Sequence, residues 1–200
     1  MDRKKLILVV SPPASGKTYI SKKIAENMRH IVYLDKDTLI PLSRKVYEVA
    51  GEPYDRSSPF FEKWVRNPEY EVILNLAFAA LTYEDNVLIN APFTREMHDS
   101  AYIKALRVRL HTECNASLVI IWVQTDPEVC HQRMIARNSD RDTSKLADWD
   151  AYVKTIDFSI PPFLLTPTYR DCFFIFQNSS DEEYTRSMSG LIPALEQDAL

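Results

Sequence analysis

Residues 6–10, LILVV, are a continuous apolar run rich in branched side chains, the pattern of a parallel strand buried on both faces. A loop follows over 11–18. Ile20, Ile24 and Met28 then recur at i, i+4 and i+8, which predicts a helix over 19–28 with one apolar face. HIVYL at 30–34 reads as a second strand, ending on Asp35-Lys36-Asp37. A helix is expected from about Thr38 to Ala50, with Gly51 placed to cap it. The polar, turn-rich GEPYDRSSP follows, and then a largely helical pattern over 60–83, broken near Asn67-Pro68. NVLIN at 86–90 is a third buried strand, 97–112 a helix, and ASLVIIWVQ at 116–124 the strongest strand of the chain. Asp126-Pro127 then signals a helix start, Asp as cap and Pro at the first position, with an end near Asn138. After the polar NSDRDTSK, a further helix is expected over 146–158, a fifth strand over 172–177 and a closing helix over 181–195.

Strands alternating with helices throughout predict an α/β fold, a parallel sheet with helices on both faces. The stretch 38–83 is long for one crossover and is the natural candidate for a helical insertion, after the second strand, that covers a substrate. Two hundred residues with 46% apolar and 26% charged content suit one soluble domain, 1–200. No apolar run approaches the roughly 20 residues needed to span a bilayer, and the run behind MDRKK stops too early for a signal peptide. A cytoplasmic location with no membrane partner is the expectation. Cys114, Cys130 and Cys172 are odd in number and scattered, and make neither a disulfide framework nor a metal knuckle. A net charge of −4 weighs against a dedicated nucleic-acid binder.

The chemistry concentrates in SPPASGKT, 11–18. A phosphate-binding loop needs backbone N–H groups in front of a helix N-terminus, a lysine for the β/γ-phosphates and a hydroxyl for Mg²⁺. Lys17 and Thr18 fill the last two roles, and Gly16 lets the backbone come close. Ser11 stands where the usual pattern has glycine; it fits there if its φ is negative.

These residues resemble the loop of the small P-loop kinases grouped as AAA-type "predicted kinases", whose form is G-x-P-[GA]-S-G-K-[ST]. Pro13, Ala14, Ser15, Gly16, Lys17 and Thr18 match it, and Ser11 departs. The group includes polynucleotide 5′-hydroxyl kinases; gluconate and shikimate kinases, chloramphenicol phosphotransferase and zeta toxins are relatives. The resemblance implies a P-loop NTPase fold of three α/β/α layers, a five-stranded parallel sheet in the order 2-3-1-4-5, and ATP with Mg²⁺ as cofactors. It also implies a lid over about 133–146 and a hydroxyl-bearing acceptor, a small molecule or a nucleic-acid end. By the same carry-over, Asp35 is the metal-side acid with Thr18, and Asp37 the base near the acceptor, the alternative for Asp37 being a plain N-cap of the helix starting at Thr38. Arg133, three residues after Cys130, matches the C-x-x-R position; with Arg137 and Arg141 it would neutralise charge on the transferring phosphoryl group. Asn178, in the turn after the fifth strand, falls in the expected adenine pocket.

Two features pull the other way. Asn90, where an acid usually ends the third strand, is neutral, and with Ser11 it favours the alternative of an inactive nucleotide-binding module. On the substrate side, Phe60, Phe61 and Trp64 read as core contacts of the insertion, while Arg44 and Arg95 could each bind an anionic acceptor.

Overall fold

The computed structural model describes residues 4–139 and 142–196. Its sheet runs in the order β2-β3-β1-β4-β5, all parallel, with β1 at Lys4–Val10, β2 at Ile31–Asp35, β3 at Asn86–Asn90, β4 at Ala116–Gln124 and β5 at Phe173–Gln177. Around it lie α1 (Lys17–Asn27), α2 (Ile40–Ala50), α3 (Arg66–Leu81), α4 (Ser100–Cys114), α5 (Pro127–Arg137), α6 (Thr143–Ala147), α7 (Trp149–Thr155) and α8 (Asp181–Glu196). This is the three-layer arrangement and strand order expected.

The period-two geometry of the strands divides the core. On β1, Leu6, Leu8 and Val10 face a cluster shared with α3 and α4, where Ile73, Phe78, Ile103 and Leu110 lie. Ile7 and Val9 face the opposite cluster, with Ile20 and Ile24 of α1 and Leu191 and Leu195 of α8. β4 repeats the division: Leu118, Ile120 and Trp122 on one side, Val119, Ile121 and Val123 on the other. Every one of these β1 and β4 side chains is at least 97% buried, so both central strands are sandwiched. β1 begins two residues earlier than its apolar run because Lys4 and Lys5 lay their stems along the core. Their ammonium groups reach backbone oxygens of Leu81 and Leu195, each at 2.5 Å.

The insertion is helical, as expected, with Gly51 capping α2 at φ +71°. Its interruption sits before Asn67-Pro68, as a π-helical turn over Phe61–Val65 that runs straight into α3. Pro68 cannot donate a hydrogen bond, and its ring would crowd the carbonyl four residues back, at Trp64; the wide turn there accommodates both. Phe61 is buried and Phe60 packs against it, together with Tyr47, Tyr54 and Val65. Trp64 departs from expectation. It is 57% exposed, with the Lys63 ammonium over its ring. α4 also starts later than its apolar pattern suggests, because Asp99 accepts from the N–H groups of Ala101 and Tyr102 and so caps it. The single helix expected over 146–158 is two short ones, α6 and α7, with Asp148 capping the second through Ala151.

Candidate active site

The loop after β1 returns the chain to the sheet edge and launches α1 at Lys17. Gly16 sits at the helix N-cap with φ +91°, a left-handed conformation. Ala14 also lies in that region, at φ +62°, where an L-residue is strained. Ser11 is buried and keeps a negative φ, which is why serine fits there. Its hydroxyl donates to the Pro12 carbonyl at 2.8 Å and accepts from the Lys17 ammonium at 3.1 Å. The lysine expected to meet phosphate is thus folded back across the loop.

One carbonyl of the loop gathers an unusual number of donors. Ser15 O accepts from Asn178 Nδ2 at 2.7 Å, Thr125 Oγ1 at 3.1 Å and Arg133 Nη1 at 3.4 Å. Arg133 also donates to the Asn178 carbonyl at 2.8 Å, and the Asn178 N–H is held by Gln124 O at 2.9 Å. A Cβ on Gly16 would lie 2.6 Å from Asn178 Nδ2, so this position needs glycine for space as well as for φ. Arg133 and Asn178 are therefore brought to the loop, but in this structure both contact its backbone. Thr125 was not singled out by the sequence; a lone threonine at a strand end carries no signal of its own.

Across the loop, the ends of β2 and β3 and the start of α1 converge. Asn90 Nδ2 lies 3.0 Å from both Thr18 Oγ1 and Asp35 Oδ2. Tyr33 donates its hydroxyl to Asp35 Oδ2 at 2.9 Å; burial and the neighbouring carboxylate push its phenol well above the ordinary range. Asp35 Oδ1 accepts from the Asp37 N–H at 2.9 Å and so caps the 3₁₀ turn Lys36–Leu39. The cap at this turn is Asp35, and α2 begins only at Ile40; Asp37 itself is exposed at the sheet edge. The Asn90 Oδ1 atom is buried without a hydrogen-bond partner among the described residues. A partnerless buried acceptor beside a threonine hydroxyl and a carboxylate suits the water shell of a magnesium ion, which keeps several of its waters and presents their protons outward. The site residues Thr18 and Asp35 fit the ion expected, with Asn90 joining them.

Between the two acids, Lys36 turns inward and is 3% exposed. Its ammonium meets Glu69 of α3 at 2.6 Å. Glu69 also accepts two bonds from Arg56, at 2.8 and 2.6 Å, and one from Ser43 at 2.6 Å. Burial alone would raise the Glu69 carboxyl, but the bonds from Arg56, Lys36 and Ser43 outweigh it and hold it below the ordinary value. Burial lowers the Lys36 ammonium. This cluster ties the Asp35–Asp37 turn to the insertion.

Other arginines in and around the insertion are mostly engaged. Arg66 forms a two-pronged pair with Glu96 at 2.8 and 3.0 Å, and Arg95 pairs with Glu62. Arg44 is exposed and stacks on Tyr54, 4.1 Å from the ring centre. At the end of α5, Arg137 makes two bonds to Asp142, at 2.8 and 2.5 Å, and Lys145 approaches the same carboxylate at 3.3 Å. Asp142 is wholly buried and joins α5 to α6. His131 stacks on Trp149 with centroids 4.3 Å apart, joining α5 to α7. Arg141 lies outside the described residues.

A glycine-lysine-threonine loop between a central parallel strand and its helix, in a sheet of this order, defines a P-loop protein of the kinase group. A family model described as an AAA domain matches residues 6–158, and the chain belongs to that family. Among curated proteins it is similar to a deoxyguanosine kinase of Dictyostelium discoideum, 24% identical over 154 residues that make up 70% of this chain and 53% of the relative. The chain thus spans about half the length of that relative. Similar solved structures include a kinase candidate of Chloroflexus aurantiacus J-10-fl (TM-score 0.61, 18% identity, covering 94% of this chain and 97% of that one). A gluconokinase of Sinorhizobium meliloti 1021 aligns over the whole of both chains (TM-score 0.53, 15% identity). A shikimate kinase of Acinetobacter baumannii in complex with shikimate aligns over 97% of this chain and 94% of its own (TM-score 0.52, 18% identity). At these identities the structures establish the fold. Among the described residues no helix is long and apolar enough to cross a membrane.

Proposed function

We propose that the protein is an ATP- and Mg²⁺-dependent kinase that transfers the γ-phosphoryl group to a hydroxyl of a small molecule. The observation that carries this reading is the contact chain Thr18–Asn90–Asp35, which joins the loop hydroxyl to a carboxylate at the mouth of the sheet. When bound, magnesium would bridge and neutralise phosphate oxygens. Thr18 and Asp35 would hold the ion, with Asn90 Oδ1 accepting from its waters. Lys17 would leave Ser11 for the β/γ-phosphates. Asp37, two residues further on and exposed, would orient the acceptor hydroxyl and take its proton. Arg137, already fixed by Asp142, would present its guanidinium from the lid.

The acceptor side favours a neutral polyol or nucleoside over a polyanion. Arg56, Arg66 and Arg95 are each matched to a carboxylate, which leaves Arg44 as the arginine there without an ion pair among the described residues. A nucleic-acid end would need more free cations than this. Asn90 favours a second reading, a nucleotide-binding module without turnover, since an amide cannot serve as a base. Phosphate transfer from labelled ATP to a panel that includes deoxyguanosine, gluconate and shikimate separates the two. Transfer to any acceptor supports the kinase; ATP binding with no transfer across a broad hydroxyl panel supports the module.

A further inference from the structure

We infer that Thr125, Asn178 and Arg133 act as positioning residues, locking one peptide plane of the loop so that it can take the terminal phosphates of a nucleotide. The inference rests on the kinase reading above. The three donors come from three separate segments: the residue after β4, the turn after β5 and the middle of α5. All three meet Ser15 O, at 3.1, 2.7 and 3.4 Å. Ser15, Thr125 and Asn178 are 1, 5 and 6% exposed, so no water competes for the carbonyl.

A trans peptide carries its C=O and N–H on opposite sides of one rigid plane. Holding the Ser15 carbonyl behind the loop therefore fixes the Gly16 N–H on the other side, at the N-terminus of α1, where phosphate oxygens are bound in loops of this kind. It also keeps the negative end of the carbonyl dipole away from an incoming anion. The space is cut for it, since Asn178 Nδ2 stands 2.6 Å from where a Gly16 side chain would begin. Asn178 is then placed to serve the phosphates through the loop, instead of touching the base.

The test is the affinity of ADP and of adenosine, measured by calorimetry, for the unmodified protein and for Thr125→Val, Asn178→Ala and Thr125→Ser. If the locked orientation falls to about a tenth of the population, ADP binds about tenfold more weakly. That loss is expected for Thr125→Val and Asn178→Ala, with adenosine affinity unchanged and with Thr125→Ser restoring ADP binding. Thr125→Val is isosteric and carries the test by itself should Asn178→Ala fail to fold. Unchanged ADP affinity in folded variants overturns the lock, and so does a parallel loss of adenosine affinity, which would make these residues base contacts. Failure of the folded, unmodified protein to bind ADP would instead overturn the kinase reading, and the lock with it.

Discussion

Replacing Glu69 by methionine should destabilise the protein by an amount that depends on pH in a calculable way. The carboxylate is the counter-charge of Lys36 and Arg56, and its own side chain and that of Lys36 are each 4% exposed. Arg56 is 27% exposed and can turn toward water. Lys36 cannot, so in the variant it stays charged and unpaired or gives up its proton. Removing one partner of a buried pair costs about 3–5 kcal/mol. Deprotonation sets a ceiling on the Lys36 share. From an ordinary value of 10.5, neutralising a lysine at pH 7 costs about 4.8 kcal/mol, at about 1.36 kcal/mol per unit. At pH 10 the same step costs only about 0.7 kcal/mol. The sign follows from linkage: a folded state that holds Lys36 neutral binds fewer protons than the unfolded chain, so the variant gains stability as pH rises toward 10.5. Urea denaturation of both proteins at pH 7 and pH 10 measures the difference. A penalty of several kcal/mol at pH 7 that shrinks by more than half at pH 10 is expected. A penalty below about 1 kcal/mol at pH 7, or one equal at both pH values, would refute the role given to this buried charge, because a total stability of about 5–15 kcal/mol makes either outcome easy to resolve.

Asp37→Asn should lower turnover about 10²–10⁴-fold with ADP affinity nearly unchanged, because the amide keeps the size and loses the base; steady-state kinetics beside calorimetry would expose the error if turnover persisted. Gly16→Ala should weaken ADP binding about 10–100-fold, from about 1–2 kcal/mol of left-handed strain and a displaced Asn178 amide, while the melting temperature shows the chain still folded. Ser11→Gly should bind ATP as well as the unmodified protein or slightly better, since it frees Lys17 from the bond to the serine hydroxyl; a large loss in a titration would mean that Ser11 itself meets the ligand.

Much of this architecture is legible in the sequence because the central strands are buried on both faces and leave uninterrupted apolar runs. The strands at 86–90 and 116–124 occupy the residues their runs mark, and Asp126-Pro127 starts α5 where those residues require. The phosphate loop was readable for a related reason, since its residues must be contiguous to wrap a phosphate. What escaped is what depends on distant partners. Glu69 looks like any acid on an amphipathic helix until Lys36, 33 residues away, is seen against it. Thr125 lies 110 residues from the carbonyl it holds. Trp64 shows that hydrophobic residue type alone does not imply burial, since the widened turn around it leaves the ring in solvent.

That widened turn also sets the rotational phase of everything after it. A π-helical turn holds about one residue more than an α-helical one, and one residue corresponds to about 100° around the axis. Taking up the surplus residue within 61–65 keeps Arg66 aimed at Glu96, Glu69 at Lys36 and Tyr70 at Phe93. If the same residues were wound as ordinary α-helix, the inward face of α3 would swing by more than a quarter turn and carry the carboxylate away from the acid turn it anchors, whereas deleting one residue there would close the wide turn to an α-helical one and leave α3 facing as it does. In this stretch of chain the wide turn acts as an angular correction, taking up one residue of length without changing which way the insertion looks.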